Sequence, residues 1–225
     1  MVSRVAVEAL LLVLAWACAL AVRPWRLLRP WQGQVRLATP FLAALTVVPW
    51  LWSWPGPAAL ALPLHWSAAP LVVLLLGWPL AIPLLTVAGL STMVTLGHPW
   101  WEAVSATVWS GVLPATLMLV LGHAVRKTFG PNPVAYLLGR AFFAPLLALG
   151  VCSLLAAWLG HGFQGPTANL QRVAMGLLAM GEASWSCALV SLLVAYRPQW
   201  LATWSEPLHL GRPASARAPA LSRRR

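Results

Sequence analysis

Apolar runs of about 20 residues, broken by Pro, Gly and Arg, recur along most of the chain, and each is close to what a helix needs to cross a hydrocarbon core. Seven segments follow: Val5 to Val22, Leu37 to Trp54, Ala58 or Trp66 to Leu76, Leu80 to Leu96, Ala103 to Val125, Val134 to Leu159, and Gln171 to Tyr196. The third stands apart by length. Begun at Trp66 it would rise only about 16 Å, too little to span, whereas from Ala58 it would reach about 28 Å with Pro63 in its outer part. The pattern predicts an all-α, polytopic membrane protein of about seven transmembrane helices, with residues 1–204 as a single helical domain. Residues 205–225 are rich in Pro, Ala, Ser and Arg and carry no apolar period, so they are expected to form a basic, disordered tail against anionic headgroups. Val5 to Val22 lacks an A-x-A-like cleavage site and is read as the first helix of the mature protein.

Composition agrees with this reading. Of 225 residues, 60% are hydrophobic and 8% charged, with a mean hydropathy of +0.77, which excludes a soluble globular domain. Many of the 15 Trp stand at predicted segment ends, among them Trp50, Trp52, Trp54, Trp66, Trp100, Trp101, Trp158, Trp200 and Trp204, as an interfacial belt would require. Cys18, Cys152 and Cys187 lie inside apolar segments without C-x-x-C spacing and read as small packing residues. The net charge of +11 does not call for nucleic acid, because cytoplasmic membrane loops concentrate Arg and Lys.

Those cations sort by side. Arg23, Arg26, Arg29 and Arg36, then Arg126 and Lys127, then Arg197, Arg212, Arg217 and Arg223 to Arg225 all fall on one side of a seven-segment arrangement, against Arg4 and Arg172 on the other. The side rich in Arg is normally cytoplasmic, so the N-terminus is expected outside and the C-terminus inside. Arg140 lies near enough to the cytoplasmic end of segment six to snorkel, and Glu8 near enough to the outer face.

Motifs of energy transduction and hydrolysis are absent. Lys127 sits in Gly122-His123-Ala124-Val125-Arg126-Lys127-Thr128, where Arg126 replaces the Gly that a phosphate-cradling loop needs. Ser110-Gly111 has Val108 where an intramembrane serine protease of the rhomboid type would show Gly, and no H-E-x-x-H or Cys-His metal spacing occurs. The chain is therefore expected not to be an enzyme. Two polar groups stand out inside apolar sequence. Glu182 falls near mid-membrane, where an ionised carboxylate is costly unless paired or wetted, and is read equally as a helix-packing group or a functional one. His65, in Leu62-Pro63-Leu64-His65-Trp66, precedes the run that Gly77-Trp78-Pro79 breaks, and imidazole is the commonest metal ligand.

His65, Ala68 and, 12 residues after the histidine, Gly77-Trp78-Pro79 resemble the His-Leu-x-Gly…Gly-Pro pattern of the CbiM and NikM family, the substrate-binding membrane subunits of cobalt and nickel energy-coupling-factor transporters. Glu182-Ala183 and Tyr196-Arg197-Pro198-Gln199-Trp200-Leu201-Ala202-Thr203-Trp204 resemble the closing motif of a short proteobacterial branch of that family. The resemblance spans Ala58 to Leu210. It implies a permease of the bacterial inner membrane that captures Ni²⁺ or Co²⁺ at the outer face as transported ligand, with no intrinsic cofactor. The implied partners are membrane lipid, a transmembrane coupling subunit and cytoplasmic ATPase subunits. Of the family's nitrogen ligands only one carries over, onto His65, as the implied metal ligand. Val2 stands where the family has a second His, and Ala68 where Gly is usual. Those departures keep open an alternative: a membrane scaffold, or an assembly or regulatory protein of the same fold, with the metal site lost.

Overall fold

A computed structural model describes residues 2–28, 37–53, 66–160, 167–204 and 209. Among them the regular structure is helical and no strand occurs. The helices are α1 (Val2–Ala21), α2 (Ala38–Ser53), α3 (Ala69–Leu76), α4 (Trp78–Thr95), α5 (Trp100–Phe129), α6 (Ala135–Trp158) and α7 (Thr167–Tyr196). Five of them, α1 and α4 to α7, are long and apolar enough to cross a membrane, whereas α2 has 16 residues and α3 has eight. Apart from His209, which stacks on Trp204 with ring centroids 4.4 Å apart, the tail lies outside the described residues, as do the His65 segment and the stretch that would have extended the third segment back to Ala58.

α3 is the pivot of the bundle. At about 12 Å it cannot span, yet it is the most deeply enclosed helix, with Ala69, Leu74 and Leu76 wholly shielded. Its limits come from both ends. Pro70 suits the first turn, and Ala68 ahead of it takes a left-handed conformation, φ 54°. Gly77 ends the helix at φ 79° and ψ 159°, a region essentially closed to L side chains, and the chain reverses directly into α4. A methyl group at Gly77 would meet Pro79 and Ala202 only at ordinary distances of 3.8 and 3.9 Å, so any penalty there comes from the backbone. Gly77→Ala should therefore cost about 1–3 kcal/mol, read as a lowered melting temperature of the purified protein, with no change in helix content.

The last carbonyls of a helix need partners, and in α3 the segment after α7 supplies them. The Ala202 N–H donates to Leu75 O at 2.8 Å, and the Thr203 hydroxyl donates to Leu74 O at 2.8 Å. Tyr136 of α6 then donates to Thr203 Oγ1 at 2.7 Å and rests edge-on against Trp204. The closing Ala202-Thr203-Trp204 sequence is thus the C-terminal cap of a helix 129 residues earlier in the chain. Trp204 and Trp52 are buried, unlike the belt-like Trp50, Trp100 and Trp158, because they face the interior rather than lipid.

These contacts also sort the helix ends. The α3–α4 turn, the α5–α6 turn and the segment after α7 meet at one end of the bundle. At the other, the Thr95 and Ser53 hydroxyls lie 2.8 Å apart and Arg4 lies against Gly160. Arg23, Arg126, Lys127 and Arg197 belong to the first end, and Arg4 and Arg172 to the second. Arg140 does not extend outward freely: its Nε is buried, and a methyl group at Gly122 would come within 2.9 Å of it. In α1, Ala15 and Ala19 turn inward to the core, whereas Ala17 and Ala21 lie on the exposed face.

Candidate functional site

The backbone break ahead of α3 must satisfy its polar groups inside an apolar bundle, where each one left unpaired would be costly. Ser67 is where they converge. Its N–H donates to Glu182 Oε2 at 3.0 Å, and its carbonyl accepts the Trp52 indole N–H at 2.9 Å. Its hydroxyl donates to Ser110 O and accepts the Ala69 N–H at 3.2 Å. Side chains of α2 and α7 and a carbonyl of α5 thereby hold one residue. The α5 partner is explained by sequence: Pro114 has no N–H to return to the carbonyl four residues back, and the helix widens into a π-helical stretch, Thr107–Val112, that presents Ser110 O sideways.

Glu182 is the sixteenth of the thirty residues of α7, about 22 Å from either helix end and hence near the middle of the helix. It is 3% exposed. Oε2 faces the N-terminus of α3, whose dipole favours a negative charge, but the buried Oε1 has no hydrogen-bond partner. Glu182 borders a cavity of about 90 Å³ together with Ser67, Trp109, Ser110, Cys152 and Ser153. On its other flank it reaches an apolar groove between α2, α3 and α7 that Trp66 also lines. Trp66 meets Trp185 edge-on there, with ring centroids 6.4 Å apart.

A second carboxylate lies close by in the chain of contacts. Glu8 does not snorkel: it is 5% exposed, and its Oε1 accepts the Trp109 indole N–H at 2.8 Å and the Ser105 hydroxyl at 3.1 Å. It shares the inward face of α1 with Ala15, seven residues on, which is why it points into the bundle. Trp109 therefore bonds one buried carboxylate through its nitrogen while its side chain lines the cavity of the other.

Of the residues singled out by sequence, Glu182 is placed in this site, and His65 lies outside the described residues, two positions before Ser67. Ser67 and Trp109 were not singled out, whereas Trp52 was read as part of the interfacial belt, Ser110 was set aside as a nucleophile and Cys152 was read as a packing residue. The signal that could have pointed to one of them is Pro114, four residues after Ser110 in an apolar helix. No group of three or more His, Cys, Asp or Glu suited to a metal occurs among the described residues. Compared with family models, curated proteins and solved structures, the chain matches none.

Proposed function

We propose that this chain is a membrane permease, the substrate-capture subunit of an energy-coupling-factor type transporter for Co²⁺ or Ni²⁺, with its N-terminus outside and its Arg-rich end in the cytoplasm of a bacterial cell. In this arrangement six helices span and the chain through α3 makes the seventh crossing, with α3 as its inner part. A separate coupling subunit and cytoplasmic ATPases would supply the energy. The observation that carries the reading is the half-helix: the backbone breaks inside the bundle, level with the middle of α7, and is met there by Glu182, the construction that transport proteins use where a substrate must be held and released. His65, two residues ahead of that break, is the capture ligand.

Purified full-length protein should melt at a higher temperature with Ni²⁺ or Co²⁺, since a ligand that binds only the native state at 100 times its Kd stabilises it by about 2.7 kcal/mol. Most of the shift should vanish in His65→Ala. No shift with either ion, or an equal shift in His65→Ala, would overturn capture at His65. Val2, at the position of the family's second His, favours a second reading, a scaffold of the same fold without metal; that reading predicts no shift at all.

A further inference from the structure

Where α5 and α6 cross beside their connecting turn, the bundle admits a guanidinium that packs on bare backbone. Gly122 makes the room: a methyl group there would lie 2.9 Å from Arg140 Nε, 3.2 Å from Cζ and 3.4 Å from Nη2. Nε is buried against α5 without a hydrogen-bond partner. Arg126 follows Gly122 by one turn on the same face of α5, and it stands close enough to Arg140 for the two charges to repel. Both line one pocket with Asn132, Tyr136 and His209. Its walls are fixed by contacts already made, Tyr136 by Thr203 and His209 by its stacking on Trp204. Among the described residues no acidic side chain lines it. Glu8 and Glu182 are engaged elsewhere, and Glu102 begins α5, at the far end from Arg126. Two cations drawn together where water is partly excluded call for an anion between them.

We propose that this pocket takes a phosphate oxygen of an anionic phospholipid from the leaflet on the Arg-rich side. The guanidinium is planar, always charged and suited to phosphate, and basic pockets between transmembrane helices on the cytoplasmic side bind anionic head groups. Size narrows the choice. A volume of about 20 Å³ holds roughly one water-sized atom, so a phosphate seats one oxygen and keeps the rest at the mouth, as a head group tethered to the membrane surface does. Position agrees with size. Phe129 and Val134 are exposed on either side of the turn that carries Gly130 and Asn132, and they give acyl chains an apolar flank beside the charge. A soluble phosphate has no use for such a flank. That the leaflet is the cytoplasmic one rests on the proposed orientation; the pocket itself does not.

The test is thermal melting of the full-length protein in a neutral detergent with sodium gluconate as salt, where both ends of the bundle are open to lipid and orientation plays no part. Phosphatidylglycerol added to the micelles should raise the melting temperature saturably, and phosphatidylcholine at the same fraction should not. Arg126→Gln should raise the half-saturating fraction about fivefold, and Arg140→Gln about tenfold or more. Lys127→Gln, one residue from Arg126 but outside the pocket, should shift it less than about twofold. Should Arg140→Gln fail to fold, Arg126→Gln against Lys127→Gln decides. Equal shifts in those two would reduce the effect to diffuse surface charge and overturn the site, as would the absence of any rise with phosphatidylglycerol. Inorganic phosphate or chloride reproducing the whole rise without lipid would overturn a lipid occupant. Binding that appears only when Glu206→Gln is added would assign the pocket to that carboxylate instead. Loss of the His65-dependent melting shift with metal, with the lipid response retained, would overturn capture alone.

Discussion

Glu182→Ala should lower stability by about 3 kcal/mol or more, whereas Glu182→Gln should cost about 1 kcal/mol or less, with Glu182→Leu between them. The order follows from what each change leaves at Ser67. Gln retains a carbonyl oxygen for the Ser67 N–H and fills the same space. Leu fills the space but strands the Ser67 N–H, a penalty of about 1–3 kcal/mol for an unpaired buried donor. Ala strands the N–H and also opens a void, so both penalties add. The consequence extends along α3, because Ser67 is also where the Trp52 and Ser110 contacts end. Thermal unfolding of the purified variants in one detergent reads the order directly. If Glu182→Ala melts with the wild type, the amide–carboxylate contact carries no weight in holding the break. If Glu182→Gln is as damaged as Ala, the charge rather than the hydrogen bond is what α3 requires.

Much of the architecture is visible in hydrophobic period alone, since helices α4 to α7 are long apolar runs between Pro and Gly breaks. Glu182 is legible for a related reason: a carboxylate so deep in an apolar run has no innocuous exposed position. The start of α3 is another matter. Gly77 marks its end locally, but its beginning at Ala69 depends on groups 15, 43 and 115 residues away from Ser67, which no local pattern carries. The Trp residues show the same limit. Position near a segment end is readable, but the face of the helix decides whether Trp52 meets lipid or the Ser67 carbonyl. Glu8 could have been placed by its seven-residue spacing to Ala15; nearness to the end of the first helix instead favoured an outward reading that its burial overturns. The function of Ala202 and Thr203 as a cap for α3 was also hidden, because the motif lies 129 residues from the carbonyl it satisfies.

The tightest helix crossing yields an equally large expected effect. A methyl carbon built on Gly89 of α4 would lie 1.7 Å from Thr107 Oγ1, 2.9 Å from Thr107 Cβ and 3.3 Å from Thr107 Cα of α5. Rotating the threonine cannot clear it, because Cβ and Cα do not move with χ1, and the hydroxyl is held by its bond to Ala103 O at 2.7 Å. The helices must part, and the wholly buried Ala88 and Leu85 on α4 would lose contact with them. Overpacking of this kind costs about 1–3 kcal/mol, and contact with backbone rather than a flexible tip puts Gly89→Ala at about 3 kcal/mol or beyond. Thr107→Ala in the same chain should recover part of the loss, since it removes the 1.7 Å contact but leaves the one at 2.9 Å. Thr107→Ser keeps the hydroxyl and should recover nothing. Gly150→Ala and Gly176→Ala are the controls, because nothing lies within 4 Å of an added methyl group at either. Both should melt at or slightly above the wild type, by the roughly 1 kcal/mol that separates Ala from Gly inside a helix. Equal melting of Gly89→Ala and these controls would show that α4 and α5 do not approach as closely as Gly89 and Thr107 require.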